Sequence, residues 1–336
     1  MNSAANPSES QPLSEPRASE PEDLAREGLG AAPNDAPSLY LDLLKRAIAN
    51  IIYQDQALFY CEHGRPLKRG PGFDLRLRVV GEDMPSQAHS MVGVRRLENI
   101  QHCIENVLRD NVPGDLIETG VASGGSAIFM RGALKAYGCV DRIVYAADAF
   151  VTPLAPLRPW QLFLAKWVAR GIAAIPFEGW RRRLCNGLSR AGGSFPPIEN
   201  PSEDVRVAML WFIRNFDLTY ALGRRTGLTN VRANFARYGL LDDQIRFLRG
   251  YFSDTLPAAP FEKIAVMRLD GDLYESTMDS LTYVYPKLSA GGYCIIDDYH
   301  AFPSCARAVD EYREQFAISS PLEAIDRVSV FWRKEK

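Results

Sequence analysis

The chain has 336 residues, 46% apolar and 24% charged, the composition of an ordinary globular protein and not of a fibrous or wholly disordered one. Its 39 Lys and Arg against 41 Asp and Glu leave a net charge of −2, which argues against a protein that coats nucleic acid, a class that carries a basic domain. The six cysteines form no C-x-x-C pair, so neither a zinc site nor a disulfide framework is expected, and they read as reduced and cytoplasmic.

Residues 1–37 are rich in Ser, Pro, Glu and Ala and read as a disordered tail without a secretory signal. Ser38 to Ile52 places Leu39, Leu41, Leu43, Leu44, Ile48 and Ile51 in a helix-period stripe, with Ser38 as the expected N-cap. An irregular stretch through Arg78 leads to a helix over Val94–Leu108, which completes an N-terminal helical extension, 38–112. Pro113-Gly114 breaks the pattern before a buried strand, Asp115–Glu118. A glycine turn, a helix over Ser126–Tyr137 and a strand Arg142–Ala147 ending on Asp148 then form a Rossmann-type unit. Further strands are expected at Gln244–Leu248, Ile264–Leu269 and Tyr293–Ile296, with helices near Thr277–Leu288 and Cys305–Phe316 and a late antiparallel edge strand, Arg327–Arg333. The alternation implies a doubly wound, mostly parallel α/β sheet covered on both faces, over 113–336. Residues 151–229 are too long for a simple connection and read as an inserted lid.

Two features carry chemistry. In Glu118-Thr119-Gly120-Val121-Ala122-Ser123-Gly124-Gly125, glycines allow close backbone approach at a helix N-terminus. A carboxylate beside the first glycine repels pyrophosphate, which disfavours NAD relative to S-adenosylmethionine, a molecule without phosphate. Asp148 stands where ribose hydroxyls are bound in doubly wound folds. The competing reading makes the glycines plain turn residues and Asp148 a solvated acid. The second feature is a pair of acidic strand-ends, Asp270-Gly271-Asp272 and Asp297-Asp298. In a parallel sheet both converge on one rim, where an all-oxygen set suits Mg²⁺. The alternative is that Asp270 and Asp297 cap the following helices.

At this point the residues carry a resemblance. RLDGDLYESTMDSL (268–281) followed by LSAGGYCIIDDYH (288–300) resembles the macrocin O-methyltransferase family, as do residues 39–55, 90–100, 114–125 and 234–257. The resemblance implies a class I S-adenosylmethionine-dependent methyltransferase fold with seven strands, and an enzyme that methylates a sugar hydroxyl on a glycosylated metabolite or glycan. It implies that Asp270, Asp297 and Asp298 bind Mg²⁺, that Asp270 and Asp272 are catalytic, with Asp272 as the base and His300 as the alternative proton acceptor or a structural imidazole, and that the chain is a homodimer. Implied cofactor positions are Ser90, Met91, Glu118, Thr119, Gly120, Gly124, Asp148 and Tyr251. The alternatives are a nicotinamide-dependent oxidoreductase and a non-catalytic binding module.

The sequence departs from the family at Ala122-Ser123, where a Trp-Arg pair is usual, at Ala149, where a Ser is usual, and above all in 151–229, which holds Trp160, Trp167, Trp180 and Trp211. Arginines at 158, 170, 181, 182, 183 and 190, with Lys166, face only Glu178 before Glu199. Residues 159–190 can therefore make a peripheral membrane contact or cover an apolar substrate, against the plainer reading that they pack on the core or a second subunit.

Overall fold

The computed structural model describes residues 35–62, 65–68, 72–150, 167–168, 170–177, 179–181, 183–184 and 226–335. Most of the tail and most of the 151–229 insertion lie outside the described residues. The first helix, α1 (Ala36–Ile48), starts earlier than expected, because the Asp35 side chain, not Ser38, caps it by accepting from Ser38 N at 2.9 Å. Pro37 in its first turn and Lys45 and Arg46 in its last suit both ends.

The stretch read as irregular holds a small antiparallel sheet, β1 (Ala57–Glu62), β2 (Arg65–Lys68) and β3 (Asp83–Pro85), in the order β2-β1-β3, with helix α2 (Leu75–Val80) before the last strand. These strands are short and carry no clean alternation, so periodicity could not reveal them.

Helix α3 (Gly93–Arg109) leads into the main unit: β4 (Asp115–Thr119), α4 (Gly125–Ala136), β5 (Val144–Asp148), α5 (Leu228–Arg237), β6 (Ile245–Arg249), the short α6 (Phe252–Thr255), β7 (Ile264–Leu269), α7 (Tyr274–Val284), β8 (Leu288–Ile296), α8 (Pro303–Gln315), β9 (Glu323–Ala324) and β10 (Val330–Arg333). The seven strands run β6-β5-β4-β7-β8-β10-β9. The first five are parallel, and β10 is antiparallel to both β8 and β9. The expected edge strand is thus one position in from the edge, which the two-residue β9 occupies. A short edge strand blunts pairing with other chains.

The sheet separates two apolar clusters, as expected of strands buried on both faces. Leu116, Val144, Val266 and Ile295 join one with α1, α3 and α4, while their neighbours Ile117, Tyr145, Met267 and Ile296 join the other with α7 and α8. All six residues of β7 are buried. The strand order reverses between β4 and β7, so the crevice beyond their carboxyl ends is where a doubly wound sheet binds ligands.

Candidate active site

The ends of β4 and β7 are pinned together. Asp270 N donates to Thr119 O at 2.8 Å and Gly120 N to Ala147 O at 2.9 Å. Gly120 sits at φ +90°, and a Cβ there would lie 1.7 Å from the Asp270 carbonyl, so no other residue fits without moving one strand. The turn ends on Gly124 at φ +95°, the N-cap of α4. Gly125 N donates to His89 O at 3.0 Å, and a Cβ on Gly125 would stand 2.4 Å from that oxygen. The segment carrying Ser90 and Met91 is thereby laid across the turn, and these residues share a small enclosed cavity with Glu118, Ser126 and Asp270.

Asp148 shapes the turn. Its Oδ2 accepts from Val121 N (2.8 Å) and Ala122 N (3.3 Å), and its Oδ1 from Phe150 N (2.7 Å). Burial raises its pKa, and the three backbone donors oppose that rise. Of the implied cofactor residues, Ser90, Met91 and Glu118 line that cavity, while Thr119, Gly120, Gly124, Asp148 and Tyr251 do not. The Thr119 side chain is fully buried and accepts from Ser280 Oγ at 3.0 Å, packing against α7, because β4 alternates and only its neighbour Glu118 faces the cavity. Tyr251 stands 63% exposed at the end of β6 and lies outside that cavity.

The acids at β7 and β8 form the second half. Carboxylate oxygens of Asp270, Asp272 and Asp298 lie within 4.8 Å of one another. Asp272 is exposed at the mouth and holds φ +59°, a left-handed conformation that costs a non-glycine residue energy. Asp298 is buried, its Oδ2 has no hydrogen-bond partner, and burial with the charges of Asp272 and Asp270 pushes its pKa well up. Burial and the Asp297 charge raise Asp270 to about 7. Neither acidic pair caps a helix: α7 and α8 begin on Leu273 and Phe302 without side-chain caps.

Asp297, expected as a metal ligand, is not in this trio. Its Oδ1 accepts from Arg268 Nη2 at 2.5 Å and its Oδ2 from Arg96 Nη1 at 2.7 Å. Burial alone would raise Asp297, and the two guanidinium groups outweigh it and hold the pKa below the usual value. Arg268 also reaches Glu118 Oε1 (2.5 Å) and Asp270 Oδ2 (2.9 Å), while Arg96 pairs with Asp326 at 2.7 Å. Burial drives Glu118 to about 8 despite Arg268, and its Oε2 has no partner.

Sequence reasoning passed over both arginines. The available signal was one cation inside the otherwise apolar run IAVMRL, since a charge in a buried strand needs counter-charges nearby. Across the floor, among the described residues, Glu118, Asp270, Asp272, Asp297, Asp298 and Asp326 face only Arg96 and Arg268. The surplus is negative, and it sits at the Asp270–Asp272–Asp298 end. A hard divalent cation fits this donor set, since it prefers carboxylate oxygens and would satisfy the orphaned Asp298 Oδ2. The opposite end suits a cationic ligand without phosphate, with Glu118 Oε2 as acceptor.

The family model described as macrocin-O-methyltransferase (TylF) matches residues 37–160 and 213–334. The chain is 43% identical to the mycinamicin III 3''-O-methyltransferase of Micromonospora griseorubida, over 90% of this chain and 99% of that protein. It is also 43% identical to the 8-demethyl-8-(2,3-dimethoxy-alpha-L-rhamnosyl)-tetracenomycin-C 4'-O-methyltransferase of Streptomyces olivaceus, over 89% of this chain and 94% of that one. To the demethyldecarbamoylnovobiocin O-methyltransferase of Streptomyces niveus it is 40% identical, over 90% and 96%. Among solved structures, the O-methyltransferase NovP superposes with a TM-score of 0.67 at 38% identity, covering 90% of this chain and 100% of that one.

Proposed function

This chain belongs to the macrocin-O-methyltransferase family and is an O-methyltransferase, and we propose that it moves a methyl group from S-adenosylmethionine to a hydroxyl of a sugar in a glycosylated metabolite or glycan, with Mg²⁺ bound beside the acceptor. The observation that carries this reading is the buried, unspent carboxylate oxygen at each end of one floor: Glu118 Oε2 on the glycine-turn side and Asp298 Oδ2 on the acid side. The relatives' names supply the sugar, since one names a rhamnosyl group and its methylated 4' position.

Each residue has a task. Glu118 accepts from the ammonium of the methyl donor, the turn from Gly120 to Gly125 lets the donor lie against backbone, and Asp148 keeps one free lone pair, on Oδ1, for the ribose. Ser90 and Met91 wall the cavity from above. Asp270 and Asp298 hold the cation, and Asp297 serves through its arginines, as a counter-charge that keeps Arg268 under Asp270. A cation there would supply the charge that lowers the pKa of the acceptor hydroxyl. Asp272, the most exposed of the three acids, takes the hydroxyl proton at the mouth. Catalysis then rests on holding acceptor oxygen, methyl carbon and sulfur in line.

Isothermal titration with S-adenosylhomocysteine, run beside NAD and with and without Mg²⁺, tests the reading. Binding of S-adenosylhomocysteine alone is expected, followed by transfer of labelled methyl to a glycosylated acceptor. Binding of NAD, or of neither, would overturn it.

A further inference from the structure

The family model passes over residues 161–212, so the methyl-transfer fold does not require them. Part of that segment is described. Backbone at 167–168, 170–174, 179–181 and 183–184 is helical, and a turn breaks it in the middle. Ile175 N donates to Ile172 O at 3.1 Å, Trp180 N and Arg181 N both donate to Phe177 O at 3.2 Å, and Arg181 Nη1 closes the turn on Ile175 O at 2.8 Å. Ile172 and Ala173 are buried.

The large side chains do the opposite. Trp167 is 64% exposed, Phe177 68%, Trp180 64% and Leu184 44%. Four large apolar groups facing water within one short stretch mark an interaction surface. The partner's chemistry follows from the charge: residues 167–184 carry Arg170, Arg181, Arg182 and Arg183 against Glu178 alone, in a chain whose net charge is −2. The positive charge is therefore local, and Arg170 and Arg183 are exposed beside the aromatic groups. Among the described residues no helix is long and apolar enough to cross a membrane. Tryptophan with arginine is the pairing that settles at the boundary between acyl chains and anionic headgroups, ring inside and charge outside.

We propose that residues 167–184 are an interfacial anchor that seats this chain on an anionic lipid bilayer. Trp167, Phe177, Trp180 and Leu184 enter the headgroup boundary, and the exposed Arg170 and Arg183 meet lipid phosphate. Each arginine near such a surface favours binding by about fivefold, so the attachment weakens as salt screens it. The proposal does not depend on how the methyl-transfer site is read.

The full chain, mixed with phosphatidylcholine vesicles or with vesicles that also contain phosphatidylglycerol, is expected to sediment with the second kind at low salt and to be released as salt rises. The exposed pair Trp167→Ala/Trp180→Ala should lower the bound fraction at least about tenfold. Arg170→Glu/Arg183→Glu should abolish the preference for phosphatidylglycerol. Both variants should keep the parent's thermal midpoint, because none of these side chains is buried. No sedimentation with either vesicle by a cooperatively folding chain would overturn the proposal, as would unchanged binding by the tryptophan pair variant. A dimer that falls to monomer in that variant, without vesicle binding in the parent, would overturn it too and make the surface a contact between copies.

Discussion

The two halves of the crevice are built on opposite principles. At the ends of β4 and β5, almost every polar group is answered by backbone: Asp148 takes three N–H groups, and the glycine turn is closed by Asp270, Ala147 and His89. At the ends of β7 and β8, three carboxylates crowd together, and one buried oxygen has no partner. The backbone of the first half is finished by the fold, which leaves only Glu118 Oε2 without a partner among its described polar groups, and the second half gathers the excess of negative charge. Arg268 touches both, through Glu118 on one side and Asp270 and Asp297 on the other.

If the halves are separable, Asp270→Ala and Asp298→Ala should each cut turnover by about 10³-fold or more while S-adenosylhomocysteine affinity stays within about twofold. Steady-state rates beside titration calorimetry check this, and full activity in excess chelator would remove the cation from the account. Arg268→Met attacks the shared element. It leaves Glu118, Asp270 and Asp297 without their common counter-charge, so urea unfolding should show a loss of about 3–5 kcal/mol. Gly120→Ala tests whether the finished half tolerates a side chain at all: with φ at +90° and a carbonyl 1.7 Å from the new carbon, a loss of about 2–3 kcal/mol is expected. The mildest change is Asp148→Asn, which keeps the shape and removes charge and one acceptor. Affinity for S-adenosylhomocysteine should fall about tenfold at nearly constant kcat, and an unchanged affinity would move the ribose away from Asp148.

Legibility in the sequence followed the range of the interaction. The strand ends at Glu118, Asp148, Asp270 and Asp298 were readable because apolar runs stop there and acids or glycines follow. Asp297 was not separable from Asp298, since the two are neighbours and what distinguishes them is a pair of arginines 29 and 201 positions away. Thr119 looked like part of the turn, and its hydroxyl instead meets Ser280, 161 residues on. Most of the insertion lies outside the described residues, and so does most of the amphipathic stretch expected within 159–190; of its apolar residues, Trp167 is exposed and Ile172 buried.

Periodicity, glycines and strand-end acids are local properties, and from them alone the chain determined a doubly wound sheet, the position of its crevice and the residue types lining it. Charge pairing across the floor is a property of neighbours in space. Only the tertiary structure decided that Arg96 and Arg268 engage Asp297, that Asp272 stands with Asp270 and Asp298, and that one oxygen each of Glu118 and Asp298 is left over, because a buried ion's partners are chosen by which strands and helices the fold brings within about 3 Å.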